Sequence, residues 1–131
     1  MFLLWLLNLS AFGISVCFWD RGISYIFSDL RHIPLRSNHY DVVICISTLE
    51  HVGCDNSAYT QSQASREDQP DAFADAIAEL HRVLKPGGHL FFSVPFGVYQ
   101  HFGSFQQFDS TCLKQAIAAF EPAASLSVIF Y

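Results

Sequence analysis

Ser47, Thr48, Glu50 and His51 bring two hydroxyls, a carboxylate and an imidazole together directly after the apolar run Val-Val-Ile-Cys-Ile at 42–46. Such a set can orient a ligand and accept a proton, and imidazole is the side chain that changes charge near neutral pH. His51 is therefore a candidate general base; it also reads as a residue that caps or packs at the start of a helix. Glu50 reads as a first-turn acid favoured by the helix dipole. Asp29 closes another β-rich stretch, and His101, Gln106 and Gln107 lie in an aromatic loop.

These groups need elements to hold them. Residues 42–46 show no polar alternation, the signature of a parallel strand covered on both faces, and ligands in open α/β sheets gather beyond the carboxyl ends of such strands. Residues 23–27 predict a second strand that delivers Asp29. Residues 54–68 carry no apolar periodicity and predict a surface loop or lid. Gln69-Pro70-Asp71 opens a helix whose Phe73, Ile77, Leu80 and Leu84 share one face, and Lys85-Pro86-Gly87-Gly88 ends it in a reversal. A strand over 89–94 follows, then the aromatic loop over 96–108. Asp109 and Ser110 cap a further helix with an apolar stripe of Leu113, Ile117 and Phe120, and 125–131 predicts a last strand. This order gives an α/β fold with a largely parallel sheet and flanking helices.

Composition narrows the classes of function. The 131 residues suit one domain, and 51% hydrophobic content is ample for a core. Twelve acidic residues against seven basic ones, with no Lys/Arg cluster, exclude a main role in gripping nucleic acid. Cys17, Cys45, Cys54 and Cys112 are dispersed without a Cys-x-x-Cys pair, which points to a reducing, cytoplasmic compartment and to no structural metal site. Residues 1–19 hold no charge and are long enough for a membrane span, yet Asn8, Ser10, Gly13 and Ser15 interrupt them and no basic n-region precedes them. They read as a membrane anchor, as a strand or helix of the domain, or as the replacement of a longer N-terminus. Membrane association through residues 1–19 is the alternative to a cytoplasmic protein.

Four stretches carry a family likeness: Ser28-Asp29-Leu30-Arg31-His32-Ile33-Pro34-Leu35, Tyr40-Asp41-Val42-Val43, Leu49-Glu50-His51-Val52, and Leu80-His81-Arg82-Val83-Leu84-Lys85-Pro86-Gly87-Gly88. Together, from about Ile23 to Pro95, they resemble the class I S-adenosylmethionine-dependent methyltransferases. The resemblance implies a Rossmann-like fold with S-adenosylmethionine as cofactor. It implies that Asp29 accepts a hydrogen bond from the adenine amino group with the Leu30 backbone beside it, and that Ser47 and Thr48 line the methionine part. The expected activity is methyl transfer to a small-molecule, sugar or lipid acceptor, with His51 as the candidate base. The resemblance also implies that His101, Gln106 and Gln107, in the loop after the next strand, face the acceptor.

The chain also departs from that pattern. The family's Asp/Glu-x-Gly-x-Gly turn and its ribose-binding acid have no counterpart here, because Gly13 and Gly22 are isolated and Asp20 stands only nine positions before Asp29. The expected organisation is an apolar segment at 1–19 and a methyltransferase-like domain at 20–131, incomplete at both ends. Two functions follow: a methyltransferase, inactive as the isolated chain or completed by a partner chain, or a non-catalytic remnant acting as an interaction module.

Overall fold

The computed structural model of the chain describes residues 2–5, 26, 28–120 and 127, the first four by their backbone alone. The strands expected over 23–27 and 125–131, and most of the 1–19 segment, lie outside the described residues. Strand β2, Tyr40–Ile46, is the centre of a three-stranded sheet. Its β-branched residues suit the pleated surface, and both neighbours run parallel to it. One neighbour is β3, Leu84–Ser93. The other is β1, Phe2–Trp5, in register from Phe2 opposite Val42 to Trp5 opposite Cys45. The head of the 1–19 segment thus forms a strand of the sheet.

Helix α2, Phe73–Val83, follows a single 3-10 turn at Pro70–Ala72. Proline suits that first turn because its missing N–H would have no partner there. Phe73, Ala76, Ile77, Leu80 and Val83 are buried at three- and four-residue intervals and form the helical face expected from the sequence. Leu84 does not belong to the helix as expected; its ψ of 145° is extended and it opens β3. The cause is a neighbouring turn, in which the N–H groups of Asn38 and His39 take the Arg82 and Val83 carbonyls at 3.0 and 2.9 Å and close the helix end. The reversal expected at residues 85–88 lies inside β3. Tyr40 pairs with Leu84 and Val42 with His89, so two steps along β2 face five along β3, and Gly87 adopts a φ of +79° in the excursion.

Segment 54–68 is more ordered than its lack of periodicity suggests. It contains α1, Ser57–Thr60, and a 3-10 turn at Gln63–Ser65, and Asn56 N–H donates to the Ser65 carbonyl at 3.0 Å to close the loop. The aromatic loop holds a small hairpin of β4, Gln100–His101, and β5, Gln106–Gln107. Helix α3, Ser110–Phe120, is capped as expected by Asp109, whose Oδ1 accepts from Thr111 and Cys112 N–H at 2.8 and 2.9 Å. Its buried line is Cys112 and Ala116, with Leu113 and Phe120 packed at the margin; Ile117 falls to the side of it.

Both long helices join Val43 and Cys45 of β2 in one core, where the Phe73 and Phe108 ring centroids stand 4.7 Å apart. Each such ring stabilises the fold by about 1.5–3 kcal/mol through burial. Among the described residues, cover is seen on one face of β2 only. Ile46 is 57% and Phe91 58% exposed, because α2 and α3 pack into the same core and the described residues leave the opposite face of the sheet open.

Candidate functional site

Asp29 follows the chain into a turn stabilised by the His32 N–H donating to the Asp29 carbonyl at 3.0 Å. Its carboxylate is gripped by Arg31: Oδ1 accepts from the Arg31 N–H at 2.9 Å and from Nε at 3.0 Å, and Oδ2 from Nη2 at 2.6 Å. The guanidinium reaches on to Glu67, donating from Nη1 at 2.7 Å and from Nη2 at 2.8 Å. Hydrogen bonding to Arg31 holds the Asp29 carboxyl below its usual range, and the two carboxylates push the guanidinium further up. The three side chains border a cleft of about 230 Å3, also lined by Val52, Gly53, Asn56 and Ser65. Two carboxylates against one guanidinium leave this wall net negative, a match for a ligand that donates hydrogen bonds. Leu30, beside Asp29, is only 2% exposed and packs its side chain into the core.

Ser47 stands at the carboxyl end of β2 in the left-handed region, φ +46°, an uncommon conformation for a residue other than glycine. Its N–H is fastened to the Ser93 carbonyl at 3.2 Å across the strand ends, and its side chain is exposed. Thr48 turns inward; it is 3% exposed and its hydroxyl donates to the Ile46 carbonyl at 2.8 Å. Neither lines the cleft at Asp29. The chain then makes a single 3-10 turn, Leu49–His51. Glu50 is 5% exposed, its Oε2 has no hydrogen-bond partner among the described residues, and burial raises its carboxyl.

His51 is oriented by the hairpin. Its Nδ1 lies 2.8 Å from the Ser104 carbonyl. A carbonyl only accepts, so Nδ1 carries the proton and Nε2 is the basic atom of the neutral ring. Tyr59 meets the imidazole edge-on at 5.7 Å, and Phe105 lies at 6.0 Å. His101 Nε2 is 3.5 Å from Cys54 Sγ. Burial pushes the Cys54 thiol up to about 11 and that of Cys45 up to about 12, so neither is an activated nucleophile. Gln106 is 1% exposed and donates to the Pro70 carbonyl at 2.6 Å, while Gln107 donates to the Val98 carbonyl at 2.8 Å. Both amides thereby hold the hairpin against its neighbours.

The structure thus places the expected residues in two groups: Asp29 at the cleft, and Ser47 and His51 at the strand end and the turn beyond it. Arg31, Glu67, Tyr59 and Ser104 were not legible as site residues. Arg31 alone left a signal, as a cation two positions after Asp29. No cluster of three or more His, Cys, Asp or Glu residues that could hold a metal ion occurs among the described residues, nor does a helix long and apolar enough to cross a membrane.

A parallel sheet with helices packed on it, bearing an acid loop ahead of the central strand and a Leu-Glu-His turn after it, defines a Rossmann-like methyltransferase fold. A family model described as a methyltransferase domain matches residues 15–92, more than half of the chain, and the chain belongs to that family, the class I S-adenosylmethionine-dependent methyltransferases. The match begins earlier than the likeness from Ile23 suggested. Among solved structures, the crystal structure of the [4+2]-cyclase SpnF is similar, with 22% identity and a TM-score of 0.45 over 70% of this chain and 29% of that one. The chain spans under a third of the length of that protein. No curated protein matches.

Proposed function

We propose that this chain carries a methyl-transfer site for a small-molecule acceptor and takes the adenine end of S-adenosylmethionine at Asp29. The observation that carries the reading is the cleft at Asp29, a net-negative wall beside a carboxylate that can accept from an amino group. Its 230 Å3 falls below the roughly 300 Å3 at which pockets for whole drug-sized ligands begin, so the fit is to one end of the cofactor. Asp29 and the Leu30 backbone would hold that end, and Ser47, exposed at the end of β2, would flank the methionine part, the buried Thr48 hydroxyl being committed to the Ile46 carbonyl. The cofactor, when bound, supplies a methyl group on a positively charged sulfur.

The chain's own share of the chemistry is positioning and proton removal. Collinear placement of donor and acceptor is the main requirement of such a displacement. His51, whose ring is oriented by the Ser104 carbonyl at Nδ1, would take the proton of an acceptor hydroxyl on Nε2. The free buried thiols Cys45, Cys54 and Cys112 support a reducing, cytoplasmic setting.

A second reading, a non-catalytic interaction module, draws support from Arg31, which already engages both Asp29 oxygens. Calorimetric titration of the full chain with S-adenosylmethionine separates the two. Binding weaker than micromolar, that is less favourable than about −8 kcal/mol, is expected because no Gly-rich turn is present in the sequence. Asp29→Ala should weaken it further by about 1–2 kcal/mol, the scale of one hydrogen bond. Absence of binding, or binding indifferent to Asp29, would remove the cofactor from this site and leave the interaction module.

A further inference from the structure

We propose that the aromatic side chains gathered around His51 form the acceptor subsite, and that the acceptor is a flat aromatic molecule bearing a hydroxyl group. The inference rests on the methyl-transfer reading above and names its substrate class. Tyr59, edge-on to the imidazole, is 54% exposed. Phe105, tilted against the same imidazole, stacks on Phe102 with centroids 4.6 Å apart and planes 17° from parallel, and Phe102 is 45% exposed. The rings of Tyr59 and Phe102 are therefore not consumed by the core: the first meets the His51 imidazole, and the second stacks on Phe105, which meets it too. Single exposed apolar residues need no explanation, but a group of them beside a proton acceptor does.

The rings are also held in place. The Phe102 N–H donates to the Phe105 carbonyl at 2.8 Å, and the Asp55 N–H donates to the Gly103 carbonyl at 2.9 Å, fastening the hairpin tip to the segment that carries Tyr59. In the same segment Asp55 and Arg66 pair with each other at 3.1 Å. What remains is a set of aromatic faces and edges around the His51 imidazole. A phenol complements both parts: its ring takes offset or edge-on contacts, and its hydroxyl meets the imidazole. As the O–H bond breaks, the proton passes to Nε2, and the oxygen pair forms the new O–CH3 bond. The S–CH3 bond of the sulfonium donor breaks, and its electron pair stays on sulfur.

The test uses the full chain with labelled histidine, titrated with p-cresol or with cyclohexanol and followed by NMR. p-Cresol should shift the His51 imidazole resonances saturably where cyclohexanol at equal concentration does not. Tyr59→Ala and Phe102→Ala should each weaken p-cresol binding by about 2- to 10-fold. S-adenosylmethionine, titrated in parallel, should bind both variants as it binds the unsubstituted chain. A chain that binds p-cresol in this way but binds no S-adenosylmethionine keeps the subsite and loses the cofactor reading. Equal response to the two alcohols, p-cresol binding unchanged in both variants, or shifts centred on the open sheet face at Ile46 and Phe91 would overturn the assignment.

Discussion

Arg31 lies along the Asp29 carboxylate with Nε 3.0 Å from Oδ1 and Nη2 2.6 Å from Oδ2, and the same guanidinium ties Asp29 to Glu67, far along the chain. The pair closes one wall of the cleft by a link between two loops.

Replacing this link should cost stability in a pH-dependent way. The folded carboxyl of Asp29 is depressed below its usual 3.8, so the contribution is present above that value and lost as pH falls through the lower folded value. Arg31→Gln should destabilise the chain at neutral pH by about 1 kcal/mol, a modest figure because the pair is partly open to solvent. Urea denaturation of both proteins should show the difference closing in acid, at pH values below the ordinary 3.8 of a free aspartate. A difference that is the same at every pH would mean that Arg31 acts through packing alone.

Glu50 predicts the opposite slope. Burial raises its carboxyl above the usual 4.5, so its favourable neutral form persists at low pH and stability declines as pH rises through the folded value. Glu50→Gln keeps the shape and removes the charge. Thermal melts should show the variant gaining on the parent by a few degrees between acid and neutral conditions. Parallel pH profiles would show that the carboxyl has found a partner.

The Ser104 carbonyl makes a spectroscopic prediction. Long-range nitrogen–proton NMR of labelled histidine should find neutral His51 protonated on Nδ1, with Nε2 carrying the lone pair. The reverse tautomer would remove His51 as a base in the proposed orientation.

Gly53 marks the tightest backbone approach. Its φ is +75°, and a Cβ there would stand 2.0 Å from the Gln69 carbonyl oxygen. Its own carbonyl accepts the Gln69 N–H at 2.8 Å. Gly53→Ala should cost more than about 2 kcal/mol, read as a lower urea midpoint, since both the conformation and the space are refused.

What the sequence disclosed was local. The apolar run of β2 and the spacing of Phe73, Ile77 and Leu80 in α2 arise from contacts that repeat along one element, and periodicity reports those directly. The end of α2 was misplaced because it is set by Asn38 and His39, residues of another segment. The hairpin of β4 and β5 has only two residues in each strand, too few to show alternation. At the site, Asp29 and His51 stood out by type and position. Glu67 and Ser104 did not, since one is joined through Arg31 across 36 positions and the other acts through its backbone carbonyl, which no side chain announces.

The excursion in β3 separates two ends of the sheet that would otherwise be mechanically joined. The extra residues between Leu84 and His89 are spent where β2 begins, and from His89 opposite Val42 to Ser93 opposite Ile46 the strands advance in step. Gly87 meets nothing that a side chain would strike, and the exposed Lys85 anchors the loop to Asp41 at 2.7 Å. Length can therefore be added to or taken from this loop without sliding Ser47 past Ser93. The fold has a place to absorb insertions at its amino-terminal rim while the carboxyl-terminal rim keeps its alignment.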